Sequence, residues 1–257
     1  MPPPRPVQPP VLLPPPVLWR DLRRFTPARL ALGRVGHGLP TAAHLDFQAA
    51  HAAARDAVHA ALDAPRLCAD LAAAGLSSVT VRSACPDRRT YLLRPDLGRR
   101  LADHQPLPPC PAIAFVVSDG LSATAAQRHA APLLGLVMPA LGQSGPVVIA
   151  RQGRVALGDA IAAAMGAEAV AVLIGERPGL SAPDSLGVYL TWAPRPGRTD
   201  AERNCISNIR PEGLAIPAAA DKLLWLIARM RRLRVTGIAL KDEQPARVDE
   251  ERKDVLF

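Results

Sequence analysis

Three short segments carry the side chains best suited to holding a ligand. They are residues 118–120 (SDG), residues 175–179 (GERPG) and residues 204–210 (NCISNIR). Carboxylates, hydroxyls and side-chain amides exchange hydrogen bonds with the amide and hydroxyl groups of a bound molecule. The carboxylate of Glu176 therefore either accepts hydrogen bonds from a ligand or pairs inside the protein with an arginine such as Arg177.

The thiol of Cys205 and the hydroxyl of Ser118 lack the partners of a catalytic nucleophile. A nucleophilic thiol needs a nearby base, and the chain has no histidine after His129. Ser118 does not stand in the G-x-S-x-G pattern of a nucleophile elbow. We interpret Ser118 and Asp119 as acceptors for free amides in a strand-to-helix turn. Cys205 is interpreted as a packing residue beside a planar ligand, although a capped turn would also explain its segment.

The elements that must position these segments alternate through the second half of the chain. Strands are predicted at residues 113–117, 146–150, 169–174 and 188–191, and helices from about residue 121, at 156–165 and at 218–234. Continuously apolar strands alternating with helices are typical of a parallel sheet covered on both faces. We therefore predict an α/β fold with a doubly wound, mostly parallel, Rossmann-like sheet. Ligands gather at the carboxyl ends of the strands in such sheets.

The first half of the chain is predicted to be mainly helical. The predicted elements are a helix over 42–62 with Thr41 as its N-cap, a short helix ending at Gly75, a strand at 79–81 and a helix at 97–104. The long helix carries three histidines roughly along one stripe, at positions 44, 51 and 59. Their spacing does not match a metal site and no acid completes the set, so we interpret them as structural or interface residues.

Proline-rich stretches and a charged end divide the chain into four predicted regions. Residues 1–17 form a proline-rich flexible arm, and residues 18–105 form the mainly helical N-terminal region. Residues 106–240 form the α/β domain, and residues 241–257 form a charged tail.

Composition narrows the function classes. The net charge of +8 comes almost entirely from arginine, which suggests an anionic partner such as a phosphate-bearing cofactor, an acidic protein surface or nucleic acid. None of the four cysteines forms a C-x-x-C pair, which argues against a zinc site or a redox motif. The sequence contains neither a signal-peptide pattern nor an apolar run long enough to span a membrane, so we expect a cytoplasmic protein.

Two alternative functions arise from local patterns. Gly33, Gly36 and Gly38 precede a predicted helix and suggest a stand-alone nucleotide-binding oxidoreductase. However, their spacing is not that of a dinucleotide fingerprint, and a turn that needs positive φ explains them better. The arginine content suggests a nucleic-acid-binding module, whose binding would weaken steeply with salt.

Several longer strings resemble one family, the ethanolamine ammonia-lyase small subunits. They are YLLRPDLGRR at 91–100, VSDGLS at 117–122, GERPGL at 175–180 and CISNI at 205–209, together with TPARL at 26–30. The resemblance runs from about residue 20 to about residue 238. It implies a subunit that joins a large subunit built on a TIM barrel and helps to convert ethanolamine to acetaldehyde and ammonia.

The resemblance also implies a cofactor and its contacts. The cofactor is adenosylcobalamin, bound base-on at the interface with the large subunit and covered by the small subunit on the side of its nucleotide tail. Val155, Glu176 and Cys205 match the family's cobalamin contacts, and no catalytic or metal-binding residue is carried over. The implied assembly is a hetero-oligomer of large–small pairs, with no nucleic acid and no membrane, and a bacterial microcompartment is an alternative location to the open cytoplasm.

Overall fold

The computed structural model of the chain describes residues 17–26, 28–103, 107–110, 112–142 and 145–245. The predicted proline-rich arm up to residue 16 and the part of the predicted tail beyond residue 245 lie outside the described residues. None of the helices within the described ranges is both long and apolar enough to cross a membrane.

A mixed sheet forms the centre of the protein. Its strands are β1 (Ser78–Arg82), β2 (Ile113–Ser118), β3 (Val147–Arg151), β4 (Ala169–Gly175), β5 (Leu186–Trp192) and β6 (Asn204–Ile209), in the order β1-β3-β2-β4-β5-β6. The pairs β1–β3, β3–β2 and β2–β4 are parallel, whereas β4–β5 and β5–β6 are antiparallel. The α/β class is confirmed, and the sheet is mixed because β5 runs opposite to the other five strands. The closer likeness to a Rossmann sheet stays a prediction.

Helices cover both faces of this sheet. They are α1 (Val17–Leu22), α2 (Thr41–His59), α3 (Ala64–Ala73), α4 (Arg88–Leu93), α5 (Ala123–Ala140), α6 (Leu157–Met165) and α7 (Ile216–Leu233). Residues of α3, α5 and α7 share one core with Ile113, Phe115 and Val117, whereas α6 shares the other core with Ala114 and Val116. Successive β2 residues thus enter opposite cores, which explains why β2 is apolar at almost every position.

Strand β1 joins the sheet from the first half of the chain. It pairs with β3, with Val79 opposite Val148 and Val81 opposite Ala150. The sheet therefore extends across the predicted boundary near residue 105, while the division into domains itself stays a prediction.

Two local predictions were wrong, and helix α4 was not predicted. Asp87 is the N-cap of α4, because its Oδ1 accepts a hydrogen bond from the Thr90 amide at 2.7 Å. A single 3₁₀ turn, Leu97–Arg99, stands where a helix over 97–104 was expected. Thr41 is the first residue of α2, not its cap, since Pro40 holds the N-cap position and makes no side-chain cap.

Candidate functional site

The carboxyl ends of β2, β3 and β4 bring the loops that follow them into contact. A Cβ atom on Gly120 would lie 2.3 Å from the Gly175 carbonyl oxygen, and one on Gly175 would lie 2.0 Å from that of Ser122. Gly120 also has a φ of 52°. Both positions therefore require glycine, because the loops after β2 and β4 pack backbone against backbone.

A cavity of about 260 Å³ opens at this edge of the sheet. Its walls include Arg154, Val155, Glu176 and Tyr189. Cys205 lies opposite Tyr189 in the β5–β6 pair. Of the three residues carried over by resemblance, Val155 and Glu176 line the cavity, and Cys205 does not line it but is paired with Tyr189, which does.

Glu176 is held by hydrogen-bond donors and not by an arginine. Ser185 Oγ and the amide of Asn208 donate to Oε2, and Ser207 Oγ donates to Oε1 at 2.6 Å. Within the described ranges, no arginine or lysine forms a salt bridge with Glu176, Arg177 included. The internal ion pair considered from the sequence is therefore wrong, and the partners of the carboxylate are two hydroxyls and one backbone amide.

The segment of Cys205 is strand β6 and not a capped turn. Asn208 has a left-handed φ of 59°, and its amide is the one that reaches Glu176. Asn208 Oδ1 accepts a hydrogen bond from Arg210 Nε at 2.9 Å, which fixes this unusual backbone. Two of the three donors to Glu176, Ser207 and Asn208, thus belong to strand β6.

Cys205 and Tyr189 form a protonated pair beside the cavity. Burial raises the pKa of the Cys205 thiol, and the side-chain hydrogen bond with Tyr189 only partly opposes this. The pKa of Tyr189 is also raised, first by burial and then by the charge of Cys205. A thiol with a raised pKa is a poor nucleophile at neutral pH, which agrees with its interpretation as a packing residue.

The loop before Val155 is clamped by an aromatic ring between two cations. The fully buried ring of Tyr91 has the guanidinium carbon of Arg88 4.7 Å from its centroid and that of Arg154 4.2 Å away. Tyr91 Oη donates to the Gly153 carbonyl at 3.2 Å. Stacked guanidinium groups hold the ring in place, so Tyr91 fixes the residue two positions before Val155.

Ser118 and Asp119 clamp the same loop from the other side. Ser118 Oγ accepts from the Gly153 amide at 3.0 Å and donates to the Ala150 carbonyl at 2.7 Å. Burial raises the pKa of Asp119, whereas Arg88 and the amides of Gln152 and Gly153 lower it. These acceptors were assigned to the turn into helix α5, but the cap of that helix is Ser122, which accepts from the Ala125 amide at 3.3 Å.

The sequence analysis did not single out Tyr91, Arg88, Arg154 or Tyr189. Tyr91 opens the longest of the family-like strings, which is the one signal that pointed to it. Arg88 and Arg154 are two arginines among many, and Tyr189 lies in an apolar strand, so tertiary contacts alone give these residues a role.

The remaining sequence patterns have structural explanations. Gly33 and Gly36 have φ values of 82° and 60°, and Val35 and Gly38 form an isolated bridge, so this segment is the predicted turn. On α2, His44 contacts Gln48 at 3.0 Å and His51 stacks on a phenylalanine. No cluster of three or more potential metal ligands occurs among the described residues.

Comparison with known proteins identifies relatives over nearly the whole chain. The family model described as ethanolamine ammonia-lyase light chain matches residues 17–241. The chain is 52% identical over 250 residues to the ethanolamine ammonia-lyase small subunit of Azotobacter vinelandii, covering 90% of this chain and 91% of the relative. It is 55% identical over 239 residues to the small subunit from Bradyrhizobium diazoefficiens, covering 88% and 91%.

Proposed function

Because this chain belongs to the family of ethanolamine ammonia-lyase small subunits, we propose that it binds a large subunit and holds adenosylcobalamin with Val155, Glu176 and Cys205. The observation that carries the proposal is that Val155 and Glu176, distant in sequence, line one cavity, and that Cys205 is paired with Tyr189 in its wall. When bound, adenosylcobalamin supplies the radical that abstracts hydrogen from ethanolamine, which is converted to acetaldehyde and ammonia. The part played by this chain is to bind and orient the cofactor.

The groups around the cavity fit the periphery of a cobalamin. That periphery carries primary amides, which need both acceptors and donors. Glu176 supplies an acceptor, and buried Arg154 Nε is a donor with no hydrogen-bond partner among the described residues. A cavity of about 260 Å³ encloses only part of so large a molecule, so the rest of the cofactor would be covered by the large subunit.

Glu176 would receive one amide hydrogen of the cofactor. A carboxylate offers about four acceptor positions, and Ser185, Ser207 and Asn208 occupy three of them. The position left open lies on Oε1, which accepts only from Ser207. Since no cation neutralises Glu176, a hydrogen bond to it is charge-assisted and stronger than one between neutral groups.

Val155 would contribute its backbone more than its side chain. It stands just before α6, where the first amides of a helix have no partner inside the helix. Within the described chain, neither Val155 nor Ala156 donates its amide to a backbone carbonyl. These amides suit a carbonyl oxygen of the cofactor, and the clamp of Tyr91, Ser118 and Asp119 on the preceding loop would keep them in place.

Cys205 and Tyr189 would form an apolar wall against the cofactor. Both side chains are protonated at neutral pH because their pKa values are raised by burial. Because these side chains are neutral, the planar cofactor can pack against them without burying an unpaired charge.

Helix α2 is the surface that we propose for the large subunit. Of its nineteen residues, only Ala57 is buried within the described part of the chain. Leu45 and Phe47 are 56% and 41% exposed. An amphipathic helix that buries so little within its own chain is typical of an interaction surface, and the histidines of this helix would then be interface residues.

The proposal is tested by reconstitution. Each subunit alone and the two together are titrated with adenosylcobalamin and followed by the cofactor's absorption spectrum, and acetaldehyde release is then assayed. Cofactor binding and activity only in the mixture would support the proposal. A folded small subunit that supports full activity without a large subunit would contradict it.

A further inference from the structure

We propose that a second cavity, lined by Arg99, Arg100 and Arg154, binds a phosphate group. Its volume is about 650 Å³, and it lies between the 3₁₀ turn Leu97–Arg99 and the start of α6. Arg154 and Val155 belong to this cavity and to the smaller one described above. The inference rests on the proposed function where it names the cofactor as a source of the phosphate.

Among the described residues, these three arginines of the cavity have no salt-bridge partner; Asp96 lies close enough to interact with Arg100 but is paired with Arg94. For the part of the chain that the structure describes, no salt bridge or side-chain hydrogen bond involves Arg99 or Arg100. Arg154 donates Nη2 to the Tyr91 carbonyl, but its buried Nε has no partner. Three guanidinium groups around one concave surface repel each other unless an anion lies between them.

The other charged residues in the wall already have partners. Arg198 pairs with Glu202, and Asp200 lies 3.5 Å from Arg203 Nε. The Asp200 side chain is 90% exposed, so water and salt screen its charge. The unbalanced groups are therefore the three arginines, and the ligand that they select is an anion.

The shape and donor geometry favour phosphate over a single carboxylate. Arginine forks bind phosphate oxygens in pairs, and three forks provide more donors than one carboxylate can accept. The amides of Val155 and Ala156 at the start of α6 add donors at the positive end of a helix dipole. A cavity of about 650 Å³ also leaves room for the groups that a phosphodiester joins.

A phosphate group could reach this cavity from two sources. One is the phosphodiester in the nucleotide tail of cobalamin, because the two cavities meet at Arg154 and Val155. The other is free phosphate in solution. The two sources share one chemistry and are distinguished by the ligand used in the test.

The test uses the reconstituted complex with the double variant Arg99→Gln/Arg100→Gln. The matched control is Arg231→Gln/Arg232→Gln, which removes the same charge from two exposed residues at the end of α7. Dissociation constants are measured by absorption titration for adenosylcobalamin and for adenosylcobinamide, which lacks the phosphate and the nucleotide. Thermal melting with and without inorganic phosphate is recorded for the same proteins.

If the cofactor supplies the phosphate, the double variant binds adenosylcobalamin about 10- to 100-fold more weakly, as expected for lost charge-assisted hydrogen bonds. Adenosylcobinamide binding then stays unchanged, as does every constant of the control. If free phosphate is the ligand, it raises the melting temperature of the wild type but not of the double variant, and cobalamin binding stays the same. Unchanged cobalamin binding together with no phosphate effect on the wild type would overturn the inference.

Failure of the inference can be told from failure of the proposed function. If the wild-type complex binds no cobalamin at all, the proposed function fails, and the melting experiment with phosphate still decides whether the arginine cavity binds an anion. If Glu176→Ala weakens cobalamin binding and the arginine variant does not, the phosphate inference fails and the cofactor site stands.

Discussion

Replacing Glu176 with alanine is expected to weaken cofactor binding more than it changes the chemical step. We propose that the carboxylate contacts the cofactor, and its partners among the described residues are two hydroxyls and one amide, with no cation. A charge-assisted hydrogen bond contributes about 1.5–3 kcal/mol. Its loss corresponds to a dissociation constant raised about 10- to 150-fold.

The same substitution also removes an acceptor from three donors of this chain. The hydroxyls of Ser185 and Ser207 can rotate towards water, since Glu176 is only half-buried. The amide of Asn208 cannot turn away, and an unsatisfied amide costs about 1–3 kcal/mol when it is buried. Because Asn208 is exposed, we expect a loss near or below the lower end of this range.

The assay is an absorption titration of the reconstituted complex with adenosylcobalamin, followed by turnover at saturating cofactor. We expect a raised dissociation constant and a kcat close to that of the wild type. Glu168→Ala is the matched control, because Glu168 is an exposed glutamate beside the opposite end of the same strand, β4. This control should bind the cofactor normally.

Three outcomes distinguish the roles of Glu176. A normal dissociation constant in Glu176→Ala, with the melting temperature lowered, would mean that the residue only braces strand β6 and the reasoning is wrong. A loss of kcat at saturating cofactor would place Glu176 in the chemical step instead. Equal losses in Glu176→Ala and Glu168→Ala would indicate a general effect of charge and not a contact.

Further predictions concern the buried ion pair, the clamped loop and the thiol. Arg203→Met leaves the Asp159 carboxylate, which is 1% exposed, without its bidentate partner, so urea unfolding should show a loss of about 3–5 kcal/mol. Gly153→Ala places a Cβ 2.7 Å from a buried hydroxyl oxygen and should weaken cobalamin binding, whereas Val155→Ala keeps the backbone amide and should bind nearly as the wild type in the same titration. Since burial raises the pKa of Cys205, its alkylation by iodoacetamide should begin at more alkaline pH than that of free cysteine, followed by mass spectrometry.

Each of these predictions has its own control or contrary result. Arg128→Met breaks an exposed pair with Asp184 and should cost about 0–1 kcal/mol, so an equal loss from both arginine variants would refute the first. Loss of cofactor binding in Val155→Ala but not in Gly153→Ala would show that the valine side chain makes the contact. Rapid alkylation of Cys205 at neutral pH would mean that the pKa of this exposed thiol is not raised.

The core of the fold could be predicted from sequence because burial leaves a strong pattern. Strands β2, β3 and β4 are apolar throughout since both faces of the sheet are covered. The apolar pattern did not predict that β5 runs antiparallel to β4. The connection over residues 176–185 is shorter than the dozen or more residues that a parallel crossover needs, so its length favours an antiparallel strand.

Strand β6 escaped prediction because it lies at the edge of the sheet. It pairs only with β5, and four of its six residues are polar or a thiol. Edge strands with one exposed face do not need continuous apolar residues. Residues 204–209 therefore look like a turn in sequence, although their hydrogen bonds make them part of the sheet.

Some residues of the candidate site can be recognised from the sequence pattern, whereas others can be recognised only from the three-dimensional structure. Glu176 is conspicuous because a carboxylate at the end of an apolar strand needs donors, and this reasoning placed it correctly at the edge of the sheet. Val155 has no such signal, because the group that we propose it offers is a backbone amide just before α6. The residues that hold the preceding loop are Tyr91 and Asp119, which lie far from it in sequence and contact it at Gly153 and, for Tyr91, also at Arg154. A contact made by backbone and held by distant side chains leaves no local trace in the sequence, so tertiary structure is needed to recognise it.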